Sequence, residues 1–146
     1  MKKRIYLAVS VLAVVLLMQA GLLAQDAGNI IHVTSLKTKM VEGGSWQVRD
    51  SLIAIYNNNV IKKNDKILSH RELSHYFTAS STDYLVIDEY KDFASLEEAF
   101  KLNDELEKKA WPDEKQRKEF LKAMGAYFEQ WHGDEIYHMN AKLSKN

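Results

Sequence analysis

The chain has 146 residues, no cysteine, and 20 Lys+Arg set against 20 Asp+Glu. These numbers exclude thiol redox chemistry, thiolate metal centres, a lipid-anchored cysteine, and the basic footprint that nucleic-acid binding requires. A chain of this size makes one ordinary domain, held together by its core alone.

The N-terminal segment has the three-part pattern of an export signal. Lys2, Lys3 and Arg4 are basic, Ile5 to Met18 is apolar apart from Ser10, and small residues follow at Ala20, Gly21 and Ala24. The apolar run is shorter than the ~20 residues of a membrane span; an uncleaved N-terminal anchor is the alternative. Cleavage is predicted after Ala24, leaving residues 25–146 as a single α+β domain. That domain is mildly acidic, because the basic start leaves with the signal. The expected destination is the periplasm or the exterior, with no nucleic-acid partner and no membrane attachment after signal removal.

From Ile30 to Lys39 the residues alternate well enough for a first strand, which Glu42, Gly43 and Gly44 break. Ser45 stands where a helix N-cap belongs, and Val48, Leu52, Ile55 and Tyr56 recur at helical spacing, with Ile53 and Val60 extending the stripe. This helix is expected to reach about Lys62 and stop near Asn64–Asp65, although Asn57–Asn59 is a poor helix interior. Ile67–Phe77 reads either as a strand or as a helix opened by Ser69 and Glu72. Strand is preferred because the next segment needs a partner.

That next segment, Tyr84–Tyr90, is rich in aromatic and β-branched residues and follows a polar turn at Ala79–Asp83. It is apolar on both sides: Leu85 and Ile87 point one way, and Tyr84, Val86 and Tyr90 the other. A strand of this kind must be covered on both faces. Ser95 and Glu98 then form a capping box ahead of Leu96, Ala99, Phe100, Leu102 and Leu106. Pro112 interrupts the helical pattern, and Asp113 and Glu114 suit the start of another helix. Its expected apolar face is Phe120, Leu121, Met124, Tyr127, Phe128 and Trp131, with Gly133 as the stop and Glu135–Leu143 as a last strand.

The predicted order β–α–β–β–α–α–β is, one helix aside, the split βαβ of ferredoxin-like domains: a four-stranded antiparallel sheet with helices on one face. The other face, taken to be that of Tyr84, Val86 and Tyr90, then requires a cover. A second copy of the chain is the simplest one.

The run DYLVIDEYKDFASLEEA leading into a capped helix, the HYF segment at His75–Phe77 and the start HGDEIY at His132–Tyr137 resemble the dimeric α/β-barrel superfamily. The resemblance spans Ile30–Leu143. It is nearest to small exported members and more distant from antibiotic-biosynthesis monooxygenases, haem-degrading monooxygenases and stress-response A/B-barrel proteins. It implies a homodimer whose facing sheets enclose a cavity, and no particular reaction.

Candidate site residues follow from chemistry. Asp88 is a carboxylate in an otherwise apolar strand; it reaches water, pairs with a base such as Arg71 or a histidine on the next strand, or acts as a general base with a raised pKa. His75 is the candidate to act with it. Among the five histidines, His132 and His138, with Asp134 between them, are close in sequence and with His75 from a neighbouring strand offer a metal or acid–base site, but no recognised ligand spacing is present. Metal is therefore not assigned, and no cofactor is named. Tyr84, Tyr90, Tyr127, Trp131, His132 and Tyr137 are candidate pocket residues; each suits a core or a dimer interface equally well. Three functions fit: an exported homodimer binding a small apolar or aromatic molecule between its sheets, a monooxygenase-like or haem-handling enzyme using His75 and Asp88, or a structural interaction module without a ligand.

Overall fold

The structure, a computed structural model, describes residues 28–77 and 79–144. The expected export segment, residues 1–24, and its cleavage point lie outside the described residues. The chain divides into two units. In the smaller one, the Met139 N–H donates to the Asn29 carbonyl at 2.8 Å, and a short 3-10 turn, Ala141–Leu143, starts at Asn140, whose side chain accepts from the Lys142 N–H.

The larger unit, Ile30–Tyr137, carries the sheet and the helices. Its strands are β1 (Ile30–Thr38), β2 (Ser69–Ser74), β3 (Asp83–Tyr90) and β4 (Phe128–His138, ending one residue beyond the unit). They form one antiparallel sheet in the order β2-β3-β1-β4. The helices are α1 (Trp46–Asn59), α2 (Phe93–Ala110) and α3 (Glu114–Gly125), with a 3-10 turn at Ile61–Lys63. This is the expected α+β architecture and element order. Ile67–Phe77 resolves as a strand over its central residues. No helix of the described residues is long and apolar enough to cross a membrane.

Strand pairing decides which residues share a face. Ile30 faces Tyr90, His32 faces Asp88 and Leu36 faces Tyr84 across β1 and β3, while His70 faces Asp88 across β2 and β3. Tyr90 packs with Leu96 and Ala99 of α2 in the core, joined by Ile30 and Ile67, and its side chain is 1% exposed. Tyr84, Val86 and Tyr90 therefore point at the chain's own helices. This corrects the expectation that they form the uncovered face. The face turned away from the helices carries Leu73, Leu85 and Ile87, with Trp131 from β4; Leu73 is 46% and Trp131 65% exposed. Alternation identifies two faces, but only packing chooses which one receives the helices.

The caps show what the local sequence specifies. Ser45 accepts from the Val48 N–H as expected, satisfying a donor that the first turn of α1 leaves open. For α2 the cap is Asp92, which accepts from Ser95 N–H and Ser95 Oγ at 2.7 Å each, so Ser95 lies inside the helix rather than at its cap. Asp113 caps α3 by accepting from Gln116 N–H. That helix stops at Gly125, well before Gly133. Phe128 and Trp131 belong to β4, where their three-residue spacing puts them on opposite faces of the sheet. Phe128 packs edge-on against Tyr84 at 5.4 Å, and Asp134, on the same side of β4, reaches His32 and Thr34 of β1. The last strand consequently runs Phe128–His138 rather than Glu135–Leu143.

Candidate functional site

Between the sheet and the helices lies a cavity of about 260 Å³. Period-two alternation aims His70 and Glu72 from β2 and Tyr84, Val86 and Asp88 from β3 into it. Ile53, Tyr56 and Asn57 come from successive turns of α1, and Leu36, Met124 and Phe128 close the remaining wall. The walls are apolar, while the floor is a connected polar network.

His70 is the centre of that network. Its Nδ1 lies 2.6 Å from Asp88 Oδ1 and its Nε2 lies 3.1 Å from Glu72 Oε1. Asn57 Nδ2 donates to the same Glu72 oxygen at 2.8 Å, and the Tyr84 hydroxyl donates to Glu72 Oε2 at 2.5 Å. The side chains of His70, Glu72 and Asp88 are 17%, 22% and 14% exposed, so the network is mostly withdrawn from water yet still reachable. Hydrogen bonds to Asp88 and then Glu72 outweigh burial and raise the His70 pKa to about 9. Burial alone pushes Glu72 up, but bonds from His70, Tyr84 and Asn57 prevail and hold its carboxyl below the usual range. Burial, then the bond to Glu72, raises the Tyr84 phenol. Tyr56 is raised by burial and by donating to Glu107 at 2.8 Å; Tyr90 is raised by burial and then by Asp88.

The sequence candidates fall in several places. Asp88 has its base on the next strand, and the base is His70. Tyr84 lines the cavity. His75 follows β2, where its N–H donates to the Asp83 carbonyl at 3.1 Å; it lines a separate hollow with Leu73, Tyr76 and Phe77. Asp83 and Asp88 are separated by roughly 16 Å of strand, so His75 and Asp88 do not share a site. Tyr90 belongs to the core. Tyr127 is buried against Gly44, where a Cβ would meet its hydroxyl at 2.5 Å. Trp131 and Tyr137 are exposed, the latter donating to Glu135. His132 Nε2 pairs with Asp134 Oδ2 at 3.0 Å, while Asp134 Oδ1 meets His32 at 3.2 Å. Among the described residues no group of three or more metal-ligating side chains is placed to hold an ion.

His70, Glu72 and Asn57 were not singled out from the sequence. The signal was present: His70 and Glu72 are two apart on a strand and so share a face, which pairing with β3 makes the face of Asp88, and Asn57 disfavours a helix interior unless its amide has a partner.

No known family's sequence profile matches the chain, and no curated protein matches it. Solved structures do. SnoaB, a cofactor-independent oxygenase from Streptomyces nogalater, superposes with a TM-score of 0.52 at 12% identity, over 82% of this chain and 100% of SnoaB. The fold is the one SnoaB carries. A conserved protein from Methanosarcina mazei Go1 gives a TM-score of 0.51 at 14% identity, over 77% of this chain and 94% of its own. An antibiotic biosynthesis monooxygenase is matched at 12% identity with a TM-score of 0.42, over 74% of this chain and 95% of its own. The resemblance read from the sequence is met at the level of fold: this chain and SnoaB share an α+β, ferredoxin-like architecture.

Proposed function

We propose that this protein binds one small, largely apolar molecule, bearing a hydrogen-bonding group, in the cavity between its own sheet and helices, and that it works as an exported homodimer. The observation that carries the reading is the joining of apolar walls to a single polar floor, His70–Asp88–Glu72, inside an opening large enough for a bicyclic aromatic body. The uncovered face with Leu73, Leu85, Ile87 and Trp131 supports the dimer, since apolar side chains gathered on one sheet face mark an interface. The ligand then sits on the helix side of each chain, rather than in the space between two facing sheets. The basic–apolar–small pattern of residues 1–24 supports export; mass spectrometry of the mature chain checks it, an intact Met1 counting against cleavage.

Calorimetric titration with naphthalene-sized aromatics tests the ligand reading, alongside a Val86→Phe variant that fills the cavity. Saturable binding that disappears in the variant, with its circular dichroism unchanged, is the expected result. Binding that survives the filled cavity, or no binding by any compound, overturns it.

A second reading is oxygenation. The floor offers proton acceptors to a bound molecule, and SnoaB, of the same fold, is a cofactor-independent oxygenase. Without a cofactor, the electrons that reduce dioxygen come from the substrate, most readily after it loses a proton. A balanced example is the conversion of an activated CH₂ and O₂ to C=O and H₂O. Dioxygen uptake with electron-rich aromatic substrates, diminished by His70→Gln, is the outcome this reading expects.

A further inference from the structure

The floor of the cavity has a sign. Its donors point at the two carboxylates: one N–H of Asn57 Nδ2 and His70 Nε2 to Glu72 Oε1, the Tyr84 hydroxyl to Glu72 Oε2, and His70 Nδ1 to Asp88 Oδ1, the ring donating from both nitrogens when protonated. A carboxylate has about four lone-pair sites on its two oxygens, whereas the one further donor among these bonded groups is the second N–H of Asn57, so acceptors predominate on the floor. Charge leads to the same conclusion by a separate route. Glu72 and Asp88 contribute two carboxylates, and His70 contributes at most one positive charge. The floor is therefore net negative whether or not the imidazole is protonated.

Nothing on the walls reverses this. Among the described residues, no lysine or arginine lines the cavity. Arg49 is the cation near Tyr84, with its Cζ 5.5 Å from the ring centroid, but it lies over Trp46 at 4.8 Å and bonds Asp50 at 2.7 Å. At the α1 wall a third carboxylate, Glu107, accepts from Tyr56. The aromatic rings of Tyr56, Tyr84 and Phe128 favour a cation lying against them as well as an apolar body.

Resting on the ligand-binding reading above, we infer that the cavity selects an apolar amine: a one- or two-ring body carrying an ammonium or other nitrogen donor that seats on Glu72 and Asp88. A carboxylate of the same shape brings like charge to a partly desolvated pair of carboxylates and finds no cation there, which is the costlier arrangement.

The test compares 1-naphthylmethylamine, 1-naphthylmethanol and 1-naphthoate by calorimetry at neutral pH on the full protein, and repeats the comparison with Glu72→Gln and Asp88→Asn. The amine should bind about tenfold or more tighter than the carboxylate. Removing either negative charge should shrink that ratio severalfold. Equal binding of amine and carboxylate, or tighter binding of the carboxylate, overturns the inference and leaves the ligand-binding reading standing. So does an amine preference that both charge-removing variants leave unaltered. If none of the three compounds binds, the ligand-binding reading fails and takes the inference with it. The wild-type comparison stands alone if a variant does not fold.

Discussion

His70 and Asp88 face each other directly across β2 and β3, and the imidazole Nδ1 sits 2.6 Å from the carboxylate. This pair makes stability depend on pH in the alkaline direction. The folded state raises the His70 pKa from 6.5 to about 9. Below pH ~6.5 the ring is protonated both folded and unfolded, and the stabilisation is fully present. Between that value and about 9 the unfolded chain loses its proton while the folded chain keeps it, so the advantage shrinks and then vanishes. Allowing for the ring's partial contact with water, the loss should be about 2 kcal/mol. Urea unfolding at a series of pH values from 6 to 10 measures it, and His70→Gln should flatten the slope.

Glu72 is the acceptor on which three donors converge, from Asn57, His70 and Tyr84. Glu72→Ala leaves those donors without their acceptor and should cost about 2–3 kcal/mol, more than Tyr84→Phe at about 1 kcal/mol. The two effects should not add, because the phenol has nothing to donate to once the carboxylate is gone; a double-mutant cycle by chemical denaturation reads the coupling. Since the folded pKa of Glu72 is lowered, its contribution is present above the ordinary glutamate range and lost as pH falls through the lower folded value.

Much of this arrangement was legible before the fold was known, and the parts that were not have physical reasons. β1, β3 and the start of α1 announced themselves by alternation and by Ser45. Asp88 stood out as a carboxylate in an apolar strand, and pairing with a histidine on the next strand was one of its expected roles. What alternation cannot report is which side the helices take, so Tyr84, Val86 and Tyr90 were placed on the wrong face. The α3–β4 boundary was hidden because Met124, Phe128 and Trp131 fit a helical stripe, while Phe128 and the residues after it also fit a strand; contact with Tyr84 and pairing beside β1 settle the competition. Asn57 was marked only as a weak helix residue, since its partner Glu72 is 15 residues away.

The start of α2 offers a test between two caps that sequence alone does not separate. Asp92 accepts from both the backbone N–H and the hydroxyl of Ser95. Those bonds hold its carboxyl below the ordinary aspartate range. Asp92→Ala removes both bonds and should destabilise the protein clearly, whereas Ser95→Ala, which retains the backbone bond, should have the smaller effect. Thermal unfolding of the two variants decides it; a larger loss from Ser95→Ala would restore Ser95 to the cap.

The dimer reading places its weight on the face turned away from the helices. Trp131 and Leu73 are more exposed there than large apolar side chains buried in a core, and Leu85 and Ile87 continue the same surface. A twin seated on this face removes apolar area from water at roughly 25 cal/mol per Å², which is offset in part by the cost of association. Charge placed there should therefore disrupt assembly without unfolding the chain. Light scattering coupled to size exclusion should show the protein at twice its chain mass, and the double variant Leu73→Glu, Trp131→Glu at the mass of one chain with unaltered circular dichroism. Naphthalene-sized ligands should still bind the dissociated variant, because the cavity is built from one chain's helices and sheet. A wild-type protein that stays monomeric at high concentration would remove the dimer and leave that cavity in place.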